Sequence, residues 1–215
     1  MPHPHTMHLI LASSSPRRRE LLGSLGVPFS IHKPDIDETQ AEGEAPLEYV
    51  YRLSRQKAAQ VAARLGAVEP VLAADTIVIL SADTMGIDEG GRVLGKPADA
   101  DEARAMLRAL RGRAHRVCTG LTLWQRGEAV TELTQTTVVM RDYSDDEIEA
   151  YIATGDPFDK AGSYAIQHPL FRPVARIEGC YTNVVGLPVC RVRTLLAGAG
   201  FGGVQSTAAC DCPPF

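Results

Sequence analysis

No apolar run in this 215-residue chain approaches the roughly 18–20 residues that a bilayer-spanning helix needs, and its first eight residues hold no apolar leader core. Both absences predict a cytoplasmic protein without a membrane partner. Cysteine is sparse and unpatterned: Cys118, Cys180, Cys190, Cys210 and Cys212 are odd in number and lack paired zinc spacing, so reduced thiols are expected. Cys210-Asp-Cys212 reads as part of a loose tail. Positive charge is not in excess, since 22 Lys and Arg stand against 26 Asp and Glu for a net charge of -4. That balance argues against a general nucleic-acid binder, which usually carries a basic surface. There is no internal repeat and no long linker. With 45% hydrophobic and 22% charged residues, the chain reads as one globular unit, a large domain or two lobes sharing a core.

Against this background, Leu9-Ile-Leu-Ala-Ser-Ser-Ser-Pro-Arg-Arg-Arg-Glu-Leu-Leu22 stands out. Leu9 to Ala12 reads as a short buried strand, and Ser15-Pro16 as a helix start with a hydroxyl cap and proline at the first position. Arg17, Arg18 and Arg19 then fill the first turn, where the partial positive charge of the helix end costs each about 0.3–1 kcal/mol unless an anion is present. Free backbone N–H groups, the Ser13 and Ser15 hydroxyls and guanidinium forks would make a polyphosphate cradle. A solvated basic turn is the plain alternative.

Strand and helix signals alternate downstream. Pro28 to Ile31 reads as extended, Pro34 to Thr39 as an acidic loop, and Glu44 to Leu65 as a helix. Its apolar line passes through Val50, Leu53, Val61 and Leu65, and Lys57 falls on the same line, where it must snorkel or meet an anion. Val71 to Leu80 has the continuous apolar pattern of a strand buried on both faces, interrupted by Asp75. A carboxylate buried there needs a cation, a metal or a water, or the strand must break, and either places Asp75 at a cleft.

Gly90-Gly-Arg-Val-Leu-Gly-Lys96 has phosphate-loop spacing, but Pro97 replaces the magnesium-binding hydroxyl and no apolar strand precedes Gly90, which excludes a P-loop NTPase. Lys96 instead precedes a helix capped at Asp99 and ending by Gly112. Arg116 to Trp124 and Val130 to Arg141 read as a hairpin turning at Arg126-Gly127. Ser144 to Glu147 is a capping box for a helix through Ile152. Asp156 to Gln167 reads as a charged loop, in which Asp159 and Lys160 can pair, leading into a short strand. Gln167 is able to read an amide edge. A strand at Val174 to Ile177, a turn through Gly179 and Asn183, and a helix from Pro188 to Leu196 complete the pattern.

Five motifs, Ser13 to Arg18, Ala74-Asp-Thr-Ile-Val78, Gly95-Lys-Pro97, Lys160-Ala-Gly-Ser-Tyr-Ala-Ile-Gln167 and Asn183-Val-Val-Gly-Leu-Pro188, occur here in order. In order and spacing they resemble the Maf family of nucleoside triphosphate pyrophosphatases, which is implicated in septum formation. The resemblance implies an α/β fold similar to inosine triphosphate pyrophosphatases: an elongated mixed β-sheet flanked by helices, with two lobes around a deep cleft. It implies a single domain over 8–196, with 1–7 and 198–215 as flexible tails, and a homodimer. By the same resemblance Asp75 accepts the proton of the attacking water and shares a Mg²⁺ or Mn²⁺ ion with Glu38. Ser13, Arg17, Arg18, Lys57, Lys96 and Lys160 match substrate-gripping positions.

Arg17, Thr76 and Gln167 match positions tied to base choice, and the Ala74-Asp75-Thr76 triplet is similar to that of the group preferring dTTP and UTP. A Gln167 amide, able to donate and accept, suits a thymine or uracil edge. The expected reaction is water attack at the α phosphorus, giving the monophosphate and pyrophosphate. The alternatives are an enzyme that removes modified nucleotides and a non-catalytic nucleotide-binding regulator of cell division. Cys180, the His168-Pro-Leu-Phe171 stretch and the length of Ser81 to Leu94 depart from the family pattern.

Overall fold

The computed structural model of the chain describes residues 7–80 and 92–204. The glycines of the loop-like stretch at 90–91, most of 81–94 and the Cys210/Cys212 tail lie outside them. In chain order the elements are β1 (Leu9–Leu11), α1 (Pro16–Gly23), β2 (Phe29–Ile31), α2 (Pro46–Leu65), β3 (Val71–Leu80), β4 (Arg92–Leu94) and α3 (Ala100–Leu110). There follow β5 (Ala114–Gln125), β6 (Glu128–Met140), α4 (Asp145–Ile152), two short 3-10 turns (Asp156–Asp159 and Ala161–Ser163), β7 (Val174–Glu178), α5 (Tyr181–Val185) and α6 (Val189–Gly198).

The sheet is mixed, ordered β2-β1-β3-β5-β6-β7, with β4 also on β3. β1 runs parallel to β2 and β3, whereas β4, β5, β6 and β7 pair antiparallel with their neighbours. β3 is the centre, and its nearly continuous apolar sequence is explained by burial on both faces. Asp75 does not break it: the residue stays in register opposite Gly120. On its other edge β3 has two different partners. β1 pairs as far as Leu72, and β4 begins at Val78. Residues 73–77 therefore have no strand on that edge among the described residues, and the sheet forks there.

Helix α2 covers one face. Ala58, Val61 and Ala62 pack on Val71 and Ala73, and Val50 packs on Ile77, Ile79 and Cys118. Leu65, at the end of the expected apolar line, is exposed. Gly120 allows this approach: a Cβ built on it would lie 2.5 Å from Val50 O and 3.0 Å from Ser54 Oγ. The opposite face carries two clusters. One joins Leu9, Leu11, Leu72 and Leu121 to Leu22 of α1 and Leu195 and Leu196 of α6. The other joins Val78, Val117 and Val138 to Met106, Leu107 and Leu110 of α3 and Ile148 and Tyr151 of α4. Each such side chain contributes about 1.5–3 kcal/mol on full burial, so both lobes have a core of their own around a shared sheet.

Local signals hold where the chain decides alone. Ser15 caps α1 with Pro16 in its first turn, and Ser144 and Glu147 form a reciprocal capping box. Arg126 and Gly127 both have positive φ, 54° and 84°, as a two-residue hairpin turn of the primed type requires. Three readings are corrected. Tyr164 to Gln167 forms no strand, because the preceding 3-10 turn and Gly162 (φ 71°) lay this segment against β3, where a Cβ on Gly162 would stand 3.2 Å from Val78. Asn183 lies within α5, its amide donating to Val117 O and Thr136 Oγ1 at 3.0 Å. The packed chain also continues past 198, since Phe201 is buried against the α1/α6 cluster.

Candidate active site

The fork opens into a cleft of about 580 Å³, and all ten nominated residues line it: Ser13, Arg17, Arg18, Glu38, Lys57, Asp75, Thr76, Lys96, Lys160 and Gln167. Asp75 and Thr76 are neighbours in a strand and so point to opposite faces. Only the missing edge partner lets one cavity reach both.

On the α2 face, Lys57 is 5% exposed and Asp75 8%. Lys57 Nζ donates to Asp75 Oδ1 at 2.5 Å and pairs with Glu38 Oε1 at 2.9 Å. This resolves the polar break in both apolar patterns: the buried lysine and the buried aspartate are each other's partner. Tyr49, on the same helix, donates its hydroxyl to Glu38 O at 2.7 Å and fixes the acidic loop. Burial raises its pKa, with Asp75 and Glu38 adding to the effect. The sequence reading missed Tyr49, although it stands two i+4 steps before Lys57 on the stripe already traced through Leu53.

On the other face the α1 arginines separate. Arg18 turns inward, donating from Nε to Gly186 O at 2.9 Å, from Nη2 to Thr76 Oγ1 at 3.1 Å and from Nη1 to Ser13 Oγ at 3.4 Å. Burial pulls its pKa down and Asp75 opposes that pull; an arginine starts high enough to stay charged. Thr76 Oγ1 also shares a hydrogen bond with Thr119 Oγ1 at 2.9 Å. Arg17 reaches across the cleft to Asp159, Nη1 to Oδ2 at 2.9 Å. Arg19 is exposed, without a partner among the described residues. α1 is seated on the sheet by Leu22, with Leu21 packed against the same cluster, and by the Arg18 contacts.

Lys96 stands exposed just after β4 with no partner among the described residues, and Gln167, also exposed, lines the same cleft. Lys160 is different: it is 8% exposed and enclosed by Asp156 and Asp159. Burial raises the pKa of both aspartates, but the Lys160 hydrogen bonds, with Tyr151 at Asp156 and Arg17 at Asp159, outweigh it and hold both below the ordinary value. Asp156, Asp159 and Gly186 O were not singled out as site groups in the sequence; a carbonyl carries no sequence signal, whereas Asp159 was read only as a partner for Lys160.

The donor set suits a hard divalent cation. Asp75 and Glu38 each spend one oxygen on Lys57, leaving the second without a protein donor among the described residues. No group of three or more His, Cys, Asp or Glu able to hold a metal is found among the described residues. Such an ion would complete its shell with water and phosphate oxygens, as Mg²⁺ does in preference to an all-protein cage.

No helix of the described residues is long and apolar enough to cross a membrane. The chain is 50% identical over 196 residues to the dTTP/UTP pyrophosphatase of Thermomicrobium roseum, covering 91% of this chain and 85% of that one. It is 45% identical over 203 residues to the dTTP/UTP pyrophosphatase of a Ruegeria species, covering 94% of this chain and all of that one. A solved nucleoside-triphosphatase / dITP/XTP pyrophosphatase from Mycobacterium abscessus overlaps 63% of this chain and 75% of its own, at 15% identity and a TM-score of 0.40. The sequence profile of the Maf-like proteins matches residues 8–199, and the chain belongs to that family.

Proposed function

We propose that this chain hydrolyses dTTP and UTP to the nucleoside monophosphate and pyrophosphate. The observation that carries the reading is the fork in the sheet, which brings the Asp75-Lys57-Glu38 triad and the Ser13-Arg18 cradle to one cleft. Relatives 50% and 45% identical to this chain, both named dTTP/UTP pyrophosphatase, support it. The triphosphate lies along the α1 N-terminus, where backbone N–H groups, Ser13 and Arg18 meet its oxygens. Lys96, exposed on the rim, meets the outer phosphates. Asp75, held in place by its contact with Lys57, takes the proton of the water attacking the α phosphorus. A Mg²⁺ or Mn²⁺ ion bound between Asp75 and Glu38 would lower the pKa of water and offset phosphate charge.

Base choice falls to Arg17, Thr76 and Gln167, with the Gln167 amide offering a donor and an acceptor to a pyrimidine edge. The same reading carries a cytoplasmic homodimer and a link to septum formation. Pyrophosphate release from a panel of canonical, methylated and oxidised triphosphates with Mg²⁺ tests it. The expected result is highest kcat/KM for dTTP and UTP, with loss of about 10²–10⁴-fold in Asp75→Asn, the usual worth of a general base. Equal values for purines defeat the pyrimidine assignment, a clear preference for modified bases favours nucleotide clearance, and full activity in Asp75→Asn removes the catalytic role.

A further inference from the structure

Lys160 matches a substrate-gripping position, yet its donors are spent. Nζ donates to Asp156 O at 2.7 Å, Asp156 Oδ1 at 2.9 Å and Asp159 Oδ1 at 2.6 Å. An ammonium has three donors and no acceptor, so none is left for a phosphate. What Lys160 fixes is Asp159, whose other oxygen, Oδ2, takes Arg17 Nη1 at 2.9 Å across 142 residues of sequence. Asp156 extends the chain of contacts the other way. Its Oδ2 accepts from Tyr151 Oη at 2.7 Å, and that hydroxyl oxygen accepts from Ala165 N at 3.1 Å, two residues before Gln167. One run of hydrogen bonds thus joins Arg17 on one wall to the backbone leading into Gln167 on the other. None of its members is Asp75, Glu38 or Lys57.

We infer that Asp159 is a positioning residue for base selection, holding Arg17 at the cleft mouth and tying it through Lys160, Asp156 and Tyr151 to the segment that presents Gln167. The inference rests on the reading that Arg17 and Gln167 meet the base. Asp159 is 60% exposed in its side chain and Arg17 25%, so their pair adds little to stability. Its effect is geometric, and the measurement must therefore be selectivity.

The test compares wild type, Asp159→Ala, Asp159→Glu and Tyr151→Phe for pyrophosphate release from UTP and CTP, alongside thermal midpoints. In Asp159→Ala the ratio of kcat/KM for UTP over CTP is expected to fall at least fivefold, mainly through a higher KM for UTP, in a protein that still unfolds cooperatively. Asp159→Glu should recover part of the ratio. Tyr151→Phe, which cuts the same run at its far end, should lower the ratio as well. A wild-type preference retained in both Asp159→Ala and Tyr151→Phe overturns this inference alone. A wild type that does not prefer UTP overturns the functional reading beneath it.

Discussion

Lys57 Nζ stands 2.5 Å from Asp75 Oδ1 with both residues buried, so the general base proposed for the reaction and its counter-ion are one structural unit. Lys57→Met leaves the carboxylate buried with its nearest cation gone. Breaking such a pair from one side costs about 3–5 kcal/mol, and urea unfolding should show a loss of that order. Pairing Lys57→Met with Asp75→Leu should recover much of it, because an apolar pair carries no desolvation penalty. A loss below about 1 kcal/mol in the single variant, the size of an exposed pair, would contradict the buried linkage.

Arg18 bonds Gly186 O, Thr76 Oγ1 and Ser13 Oγ through three different nitrogens. A lysine cannot reproduce that fork. Hydrogen bonds to charged groups contribute about 1.5–3 kcal/mol each, so Arg18→Ala should lower kcat/KM by about 10- to 150-fold, and Arg18→Lys should fail to restore it. Steady-state kinetics with UTP decide this. Recovery by lysine would mean that charge alone matters at this position.

Gly120 is where α2 meets the sheet, and a methyl group there would lie 2.5 Å from Val50 O, a backbone atom that cannot swing aside. Overpacking of this kind costs about 1–3 kcal/mol. Gly120→Ala should unfold at lower denaturant, whereas Gly23→Ala, with open space around its Cβ, should not. Equal midpoints for the two variants would show that α2 can shift away freely.

His115 is buried with Nδ1 unpartnered among the described residues and Nε2 2.7 Å from Tyr164 Oη. Burial pulls its pKa down to about 3. The folded protein therefore refuses a proton that the unfolded chain accepts near its ordinary value of about 6.5. Stability is unaffected by this residue above that value and falls as the pH drops below it, with a slope approaching about 1.4 kcal/mol per pH unit until the folded pKa is reached. Chemical denaturation between about pH 7.5 and about pH 5 should show a shallower decline in His115→Gln than in wild type. Parallel curves would mean that His115 takes up its proton in the folded state.

The sequence disclosed what short-range chemistry decides. Ser15-Pro16, the Ser144-Glu147 box and Arg126-Gly127 act within four residues, and each forms as read. Asp75 and Lys57 were visible as polar residues on apolar patterns, because an unexplained charge in a core asks for a partner. Their mutual pairing was not visible, since it depends on α2 crossing β3. Nor was the Arg17-Asp159 contact, where 142 residues separate the partners. The strand expected at Tyr164 to Gln167 failed for a related reason: its apolar residues pack against the core from an irregular segment, and burial overrides the pattern.

The break in β3's edge also joins two neighbourhoods. Asp75 answers to α2 through Lys57, while Thr76, one peptide unit away, answers to Arg18, Thr119 and Gly186 on the opposite face. An unbroken sheet would wall these neighbourhoods off and force a ligand to choose one. Here one cavity reaches both, and the charge of Asp75 still acts on Arg18 across the strand. The Asp75-Thr76 peptide unit is thus the place where a ligand in this cleft would touch both faces of one sheet within a single step of the chain.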